Sequence, residues 1–374
     1  MVQIRRHLHQ HPELSFKEDQ TAAYIANFYQ KLGIPFQKNV GGNGLVARVS
    51  TGRPGRTVAL RADFDALPIQ DQKDVPYKST VPGVMHACGH DGHTATLLVL
   101  AKSIHDLKDE LFGDYVFIHQ HAEEYAPGGA KAMIEDGCLD GVDAIFGTHL
   151  WATEPLHSIL YRSGPIMAAA DRFEIKIKGS GGHGAQPHKT KDSLLVASQL
   201  VVHLQQIVSR RVDPIDAAVL SVGSFVADHA FNVIGDDCKL TGTVRTFKKE
   251  TQKLIMEEME RMINGICSAS GCDFEFSYES GYPTVINTES ETHHLSSNAA
   301  KIKDVRSLAE VEPQMGGEDF AYYLQHVPGS FFFTGAKPDD VEIAFPHHHP
   351  QFDINEKAML IAAKVLGLAA VDYQ

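Results

Sequence analysis

Residues 86–93 of this 374-residue chain read HACGHDGH, an octet that combines one cysteine, three histidines and two glycines. Its glycines let the backbone bend tightly, so that the thiol of Cys88 and the imidazole of His90 can converge on one point. An apolar stretch typical of a helix follows at once over residues 94–104. A turn rich in metal-binding side chains that leads directly into an apolar helix is typical of the functional edge of an α/β sheet.

Other side chains of the same chemistry follow apolar runs that are typical of strands. Glu123 and Glu124 come after the run 115–118, His149 comes after the run 144–147, and three histidines occupy 347–349. Each of these alone fits an ordinary core or surface residue, so the prediction depends on their coincidence. Because ligands of an open α/β sheet gather at the carboxyl ends of its strands, we expect these groups to lie together. Thiolate, imidazole and carboxylate form the ligand set of a transition-metal hydrolase.

On these residues the chain resembles the aminoacylase, carboxypeptidase and indole-acetyl-amino-acid hydrolase family of co-catalytic metallopeptidases. Within that family it is similar to the amidohydrolase branch that uses a cysteine as a metal ligand. The matching segments follow one another in the family's order along nearly the whole chain. They are RRHLHQHPEL (5–14), RADFDALP (61–68), the octet (86–93), AEE (122–124) with GGA (128–130), GSGGHGAQPH (179–188), NVI (232–234), GTVR (242–245), GGEDF (316–320) and HHPQF (348–352).

The resemblance implies an α/β fold with a zinc-peptidase-like catalytic domain around a largely parallel central sheet. The residue pattern predicts the same architecture, because strand-like runs alternate with helical stretches. These runs are 57–61, 115–118, 144–146 and 330–334, and the helical stretches include 22–32, 94–104 and 355–370.

A second pattern begins near residue 170 and ends near residue 283. Alternating strands and amphipathic helices follow in the order βαββαβ, which predicts an inserted α+β domain of the ferredoxin-like type. The elements are 172–178, 193–210, 217–225, 238–247, 249–268 and 273–278. We therefore predict a discontinuous catalytic domain of residues 1–169 and 284–374. The inserted domain of residues 170–283 is expected, from the resemblance, to serve in dimerisation or as a lid.

By the same resemblance, the site would hold two divalent transition-metal ions, with zinc first and manganese, cobalt or nickel as alternatives. Five ligands are too few to give each ion a complete shell of its own, and the resemblance makes Cys88 the bridge between the ions. The implied ligands are Cys88, His90, Glu124, His149 and His348.

The resemblance also implies roles for residues that do not bind metal. Glu123 would be the general base that takes a proton from a metal-activated water, and Asp65 would orient a ligand. His183 would complete the active site of the partner subunit, while Asn232 and Arg245 would hold the substrate carboxylate. The alternatives are a strand-end cap for Asp65, a glycine-rich surface loop for His183 and a surface ion pair for Arg245.

Three departures from the family pattern leave questions open. His119 and His121 stand where relatives often have phenylalanine and proline, and they fit either a supporting role beside the metals or a position facing solvent. Gly235 replaces a proline. Among the three consecutive histidines, the offset to Pro350 favours His348 over His347 as the ligand.

Composition excludes several other classes of protein. A net charge of −13 argues against nucleic acid as a partner, since phosphate binding needs a basic surface. No apolar run approaches the roughly 20 residues that span a bilayer, so no membrane association is expected. The five cysteines do not form a disulfide pattern, and reduced thiols predict a cytoplasmic protein.

Together with the resemblance, these observations predict a metal-dependent amidohydrolase that cleaves N-acyl amino acids or small peptides, and the resemblance implies a homodimer or a higher homo-oligomer. The alternative enzyme is a dipeptidase, carboxypeptidase or broader peptidase, which needs the same metals but a different pocket. From another class, a catalytically inert protein that binds metal or amino acids has to be considered. Retention of Glu123 argues against it, because binding alone needs no free base.

Overall fold

The computed structural model describes residues 1–339 and 341–373, and its strands are short and numerous. In chain order they are β1 (Phe36–Val40), β2 (Gly44–Ser50), β3 (Thr57–Asp63), β4 (Asp114–Gln120), β5 (Ala144–Trp151), β6 (Ser158–Tyr161), β7 (Gly164–Met167), β8 (Ala169–Lys178), β9 (Gly182–His183), β10 (Ala218–Val226), β11 (Val233–Ile234), β12 (Asp237–Thr246), β13 (Asp273–Tyr282), β14 (Val285–Asn287), β15 (Ser307–Glu310) and β16 (Gly329–Gly335).

The α-helices of the described residues lie between these strands and at both ends of the chain. They are α1 (Val2–Gln10), α2 (Asp19–Leu32), α3 (His90–Asp106), α4 (Ala130–Glu135), α5 (Ser193–Arg210), α6 (Lys249–Ser270), α7 (Glu289–Ala299), α8 (Phe320–Tyr323) and α9 (Lys357–Val371). Among the described residues, no helix combines the length and the apolar character needed to cross a bilayer.

The chain divides into two compact units. One consists of residues 1–166, 285–313 and 319–374, and the other of residues 167–284 and 314–318. The sequence pattern predicts boundaries at 169/170 and 283/284 and places all of 284–374 in the first domain. The short segment 314–318 belongs instead to the second unit, where the backbone N–H of Ala168 donates to the carbonyls of Gln314 and Gly316.

An eight-stranded sheet forms the centre of the first unit, in the order β1-β2-β4-β3-β5-β16-β6-β15. Its four middle strands β4, β3, β5 and β16 run parallel, which confirms the predicted largely parallel sheet. These strands are almost entirely buried, as their continuous apolar runs require. Helices α2, α3 and α9 contribute to the main core, in which Tyr29, Leu97, Phe146 and Val365 are fully or almost fully buried.

The parallel register determines which loops meet at the edge that carries the octet. Asp63, the last residue of β3, pairs with Gln120, the last residue of β4. The segments that follow, with Asp65 on one and Glu123 and Glu124 on the other, therefore leave the sheet side by side.

The strand that carries His149 is longer than the sequence pattern indicates. The apolar run 144–147 predicts that His149 follows the strand, but His149 lies inside β5 and pairs with Phe333 of β16. Gly147 ends the apolar pattern but does not end the strand. A glycine is required at this position because a Cβ there would lie only 2.7 Å from the ring of Phe320. Pairing with β16 therefore extends β5 beyond the limit that local sequence suggests.

The second unit has an antiparallel sheet in the order β10-β12-β8-β13, which is the ferredoxin-like arrangement. Helices α5 and α6 pack against it and bury Leu200, Leu204, Ile255 and Met259. The alternating burial along β8 agrees with the predicted half-exposed strand. The predicted βαββαβ order is thus confirmed.

Candidate metal centre

The carboxyl edge of the parallel strands brings a thiol and two imidazoles together. Cys88 precedes α3, His90 is the first residue of α3, and His149 lies in β5. Gly89, at the N-cap of α3, adopts φ +94°, a left-handed conformation that glycine tolerates well. Cys88 Sγ lies 3.4 Å from His149 Nε2. One metal-binding atom from each of Cys88, His90 and His149 lies within 4.8 Å of the others.

A second group of candidate ligands shares the same thiol. Cys88, Glu124 and His348 also offer metal-binding atoms within 4.8 Å of one another. His348 Nε2 lies 3.3 Å from Glu124 Oε2, and the backbone N–H of His348 donates to the carbonyl of Ala87. Two groups that share one thiol fit a pair of metal ions with a common ligand, and His90, Glu123 and Glu124 form a further group at the same place.

Two buried polar atoms at the centre have no hydrogen-bond partner among the described residues. They are His90 Nε2 and Glu124 Oε1, which lie 3.8 Å apart. The His90 Nε2 atom also lies 3.8 Å from an oxygen of Asp63 and 3.9 Å from an oxygen of Glu123. Buried polar groups normally have partners, so two unpaired ligand atoms aimed at one region fit a cation.

Asp65 supports two of the candidate ligands. His90 Nδ1 donates to Asp65, at 3.0 Å from its carbonyl oxygen and 3.1 Å from Oδ1. The other carboxylate oxygen accepts the backbone N–H of Glu124 at 2.9 Å. Hydrogen bonds of this kind fix the tautomer and the orientation of a ligand imidazole, which leaves His90 Nε2 available for metal.

Asp63 is a second buried carboxylate of the centre, and it is not among the site residues predicted from the sequence. It accepts hydrogen bonds from Arg61 at 2.6 Å and from His93 Nδ1 at 2.6 Å. The Nε2 atom of His93 in turn accepts the backbone N–H of Leu150. Asp63 and Asp65 stand at alternate positions of RADFD, a spacing that could have indicated a common side.

Burial and local charge shift the pKa values of the ionisable groups of the centre, some upward and some downward. Burial, reinforced by Glu124 and Glu123, raises the pKa of the Cys88 thiol well above its usual value. Burial lowers the pKa of His149 well below its usual value. For His90, burial acts to lower the pKa, but Asp63 and Asp65 outweigh it and raise the pKa to about 10. Several acidic groups therefore surround a point where a cation would relieve their repulsion.

His347 lies close to the centre but in a different setting from His348. Its ring packs against those of His149 and Trp151, and its Nε2 lies 3.1 Å from the carbonyl oxygen of Leu150. Burial lowers the pKa of His347 to about 4. Among the described residues, His348 joins a group of candidate ligands and His347 does not.

The two additional imidazoles of the 119–121 segment are buried, which excludes the solvent-facing alternative. His119 Nε2 lies 2.7 Å from the hydroxyl of Tyr29. The ring of His121 packs edge-on against Phe16. It also lies close to Gly42, where a Cβ would be only 2.9 Å from His121 Nε2. Neither imidazole belongs to a group of candidate ligands among the described residues.

The remaining predicted residues lie in the second unit. His183 is in β9, which pairs with β11, and the backbone N–H of Gly184 donates to the carbonyl of Asn232. His183 and Asn232 therefore lie beside each other where two exposed segments, distant in the chain, pair in the antiparallel sense. Arg245 of β12 is partly buried, and within residues 1–339 and 341–373 no carboxylate forms an ion pair with it.

Known proteins resemble the chain over nearly its whole length. A family model described as Peptidase family M20/M25/M40 matches residues 59–372. YhaA of Bacillus subtilis (strain 168), whose name as an amidohydrolase is itself provisional, is 61% identical over 373 residues, which is 100% of this chain and 94% of YhaA. An N-acyl-L-amino acid amidohydrolase of Geobacillus stearothermophilus is 45% identical over 320 residues, which is 86% of each chain.

The architecture also matches solved structures. One is a Bacillus subtilis protein described as a dinuclear metal binding peptidase from family M20. It superposes with a TM-score of 0.84 at 36% identity, over 99% of this chain and 96% of that chain.

Proposed function

Because the chain belongs to peptidase family M20/M25/M40, we propose that it is a metal-dependent amidohydrolase that cleaves the amide bond of N-acyl amino acids or small peptides. One observation carries the proposal. Two groups of candidate ligands share Cys88, and the carboxylate of Glu123 lies 3.9 Å from the unpartnered Nε2 of His90. Paired ligand groups beside an additional carboxylate provide both a place for metals and a base.

We assign two divalent ions to the centre. Cys88, His90 and His149 would hold one, and Cys88, Glu124 and His348 the other, with the thiolate as the bridge. Thiolate and imidazole ligands favour zinc, and manganese, cobalt and nickel are the alternatives to test. When bound, the ions polarise both an attacking water and the scissile carbonyl.

The protein side chains carry the proton. Glu123 accepts it from the attacking water and then donates it to the leaving amine, which must be protonated to depart. Asp65 keeps His90 and the backbone of Glu124 in place during this exchange. His183 would stabilise the developing oxyanion. Arg245 offers two parallel N–H donors for the substrate carboxylate, and Asn232 offers a side-chain amide.

We propose a homodimer in which His183 of each chain serves the site of the other. The exposed edge strand β10 of the second unit supports this assembly, since an unpaired strand edge is suited to pairing with another chain. Phe225, Val226, Leu195 and Val202 expose apolar surface on β10 and α5. The cytoplasm is the compartment we propose, because all five cysteines are free thiols.

Substrate preference is the point at which the two enzyme alternatives separate. Metal-reconstituted protein should be assayed against a panel of N-acyl amino acids and dipeptides, with the released amine measured. We expect release from N-acyl amino acids, and Glu123→Gln as the matched control should remove it. Release from dipeptides alone would favour the peptidase alternative, and metal binding without release from any compound would favour the inert binding protein.

A further inference from the structure

Glu18 is a buried carboxylate that none of the roles above uses. It is the N-cap residue of α2 and is fully buried. Its Oε1 accepts the backbone N–H of Phe16 at 2.9 Å and the backbone N–H of Ala122 at 2.9 Å. Its Oε2 accepts the side-chain amide of Asn43 at 3.1 Å. One side chain therefore holds the backbone of the residue directly before the proposed base Glu123.

Ala122 needs such support because its backbone conformation is unusual. It adopts φ +53° and is fully buried. A residue with a Cβ rarely adopts this left-handed conformation, and it persists only where its surroundings impose it. Loss of the Glu18 hydrogen bond would free the peptide that sets the direction of the Glu123 side chain.

Ser15 acts on the same loop from the other side. Its hydroxyl donates to Asp65 Oδ2 at 2.7 Å, and this oxygen also accepts the backbone N–H of Glu124 at 2.9 Å. The N–H groups on both sides of Glu123, those of Ala122 and Glu124, are thus held by carboxylates that residues 15–18 contribute or orient.

We propose that Ser15 and Glu18 are positioning residues for the hydrolysis: they hold the loop of residues 122–124 so that the carboxylate of Glu123 meets the attacking water. This inference rests on the proposed function. General bases act only within a narrow range of distance and direction, and a displacement of about 1 Å can cost about 100-fold in rate. Neither residue touches substrate, so both act through Glu123.

The charge of Glu18 is not what the loop requires. Burial raises the pKa of Glu18 to about 7, and a protonated carboxyl or an amide still offers a carbonyl oxygen to both backbone N–H groups. Glu18→Gln should therefore retain the position of the loop, because Asn43 can turn its amide to face the new –NH₂ group. Glu18→Ala removes the acceptor altogether.

Glu13 is a matched control on the same segment. Its carboxylate accepts the backbone N–H and the hydroxyl of Thr21 at 2.8 Å and 2.9 Å, so Glu13→Ala also disturbs the start of α2 without touching residues 122–124. The variants to compare are Glu18→Ala, Glu18→Gln, Ser15→Ala and Glu13→Ala. The measurements are kcat and KM, metal per chain by elemental analysis, and amide hydrogen exchange of the segment 121–125.

For Glu18→Ala we expect kcat to fall at least tenfold with KM within threefold of wild type, metal content unchanged and exchange of segment 121–125 accelerated. Glu18→Gln should stay within threefold of wild-type kcat, and Glu13→Ala should leave both kcat and that exchange unchanged. Ser15→Ala should lower kcat threefold or more. Its position is partly exposed and tolerates the change, so this variant keeps the test decisive if Glu18→Ala does not fold.

Equal kcat in the Glu18→Ala and Glu13→Ala proteins would overturn the inference, and so would loss of kcat without faster exchange of segment 121–125. Loss of metal in Glu18→Ala would also overturn it, because the effect would then pass through Glu124. An inactive wild-type protein would contradict the proposed function instead, and the exchange measurement would still test whether Glu18 holds the loop.

Discussion

Cys88 Sγ lies 3.4 Å from His149 Nε2, although 61 residues separate the two in the chain. Cys88 stands in a loop before α3, whereas His149 stands inside β5. Cys88 belongs to both groups of candidate ligands, so this contact joins a strand of the central sheet to the proposed metal centre.

The role of Glu123 as the base can be tested by an isosteric change. Glu123→Gln should retain bound metal and substrate affinity and lose at least about 100-fold in kcat, the scale expected for general acid–base catalysis. Steady-state kinetics and elemental analysis on one preparation check both points. Turnover near the wild-type value would exclude this role.

The ligand assignment is tested by the neighbouring histidines 347 and 348. His348→Ala should lower the metal content, and Cys88→Ser should lower metal content and activity together, since one thiolate serves both ions. His347→Ala should leave the metal content near wild type, because its Nε2 contacts the Leu150 carbonyl. Elemental analysis of the three proteins shows which of the two histidines binds metal. Loss of metal in His347→Ala with full metal in His348→Ala would exchange their roles.

Sharing of the site between subunits predicts complementation. Inactive Glu123→Gln protein mixed with inactive His183→Ala protein should regain activity, because each heterodimer holds one site with both defects and one with neither. Random exchange of an equal mixture should restore about a quarter of wild-type sites. If heterodimers verified by mass spectrometry stay inactive, His183 acts within its own chain or has no role in turnover.

Buried His119 should make stability depend on pH. Burial lowers the pKa of its imidazole from 6.5 to about 3. Below pH 6.5 the unfolded chain gains a proton that the folded chain does not, so stability is fully present above pH 6.5 and falls as the pH falls toward 3. The loss should reach about 1.4 kcal/mol per pH unit for this group.

Urea titrations between pH 5 and pH 7 measure that dependence. His119→Gln should reduce the slope of the unfolding free energy against pH by up to the amount for one proton, because the amide does not titrate. Tyr29→Phe removes the hydrogen bond to His119 but leaves an imidazole in a buried site, so it should keep the slope. Equal slopes in wild type and His119→Gln would contradict the prediction.

Arg5 and Arg6 contact the same carboxylate and should differ greatly in their contribution to stability. Arg5 is fully buried and donates to Asp91, Asp353 and Glu356, whereas Arg6 is exposed and pairs with Glu356. Arg5→Ala removes the guanidinium that neutralises the fully buried Asp91 and should cost about 3–5 kcal/mol, while Arg6→Ala should cost at most about 1 kcal/mol. Denaturant unfolding of the two proteins checks the difference, and similar losses would show that burial does not control it.

Local pattern predicts the elements of the second unit well, because each of its helices and strands carries its own signal. Helix α5 has the predicted bounds 193–210, since Asp192 caps its first turn and an amphipathic face runs through it. The closing and central elements of the first unit also lie within a few residues of their predicted positions. In contrast, α1 forms over Val2–Gln10, a stretch that the helices predicted above do not include.

Short motifs identify the side chains that are available for metal binding and proton transfer, since Cys88, His90, Glu123 and Glu124 each stand in a motif a few residues long. The three-dimensional fold was needed to show that His149 lies within a strand, that Asp63 supports the centre, and that His119 and His121 are buried. Hydrophobic periodicity reports which face of one element is covered. It does not report which other element covers that face or how far β5 continues, because pairing with β16 and packing across the sheet set those distances.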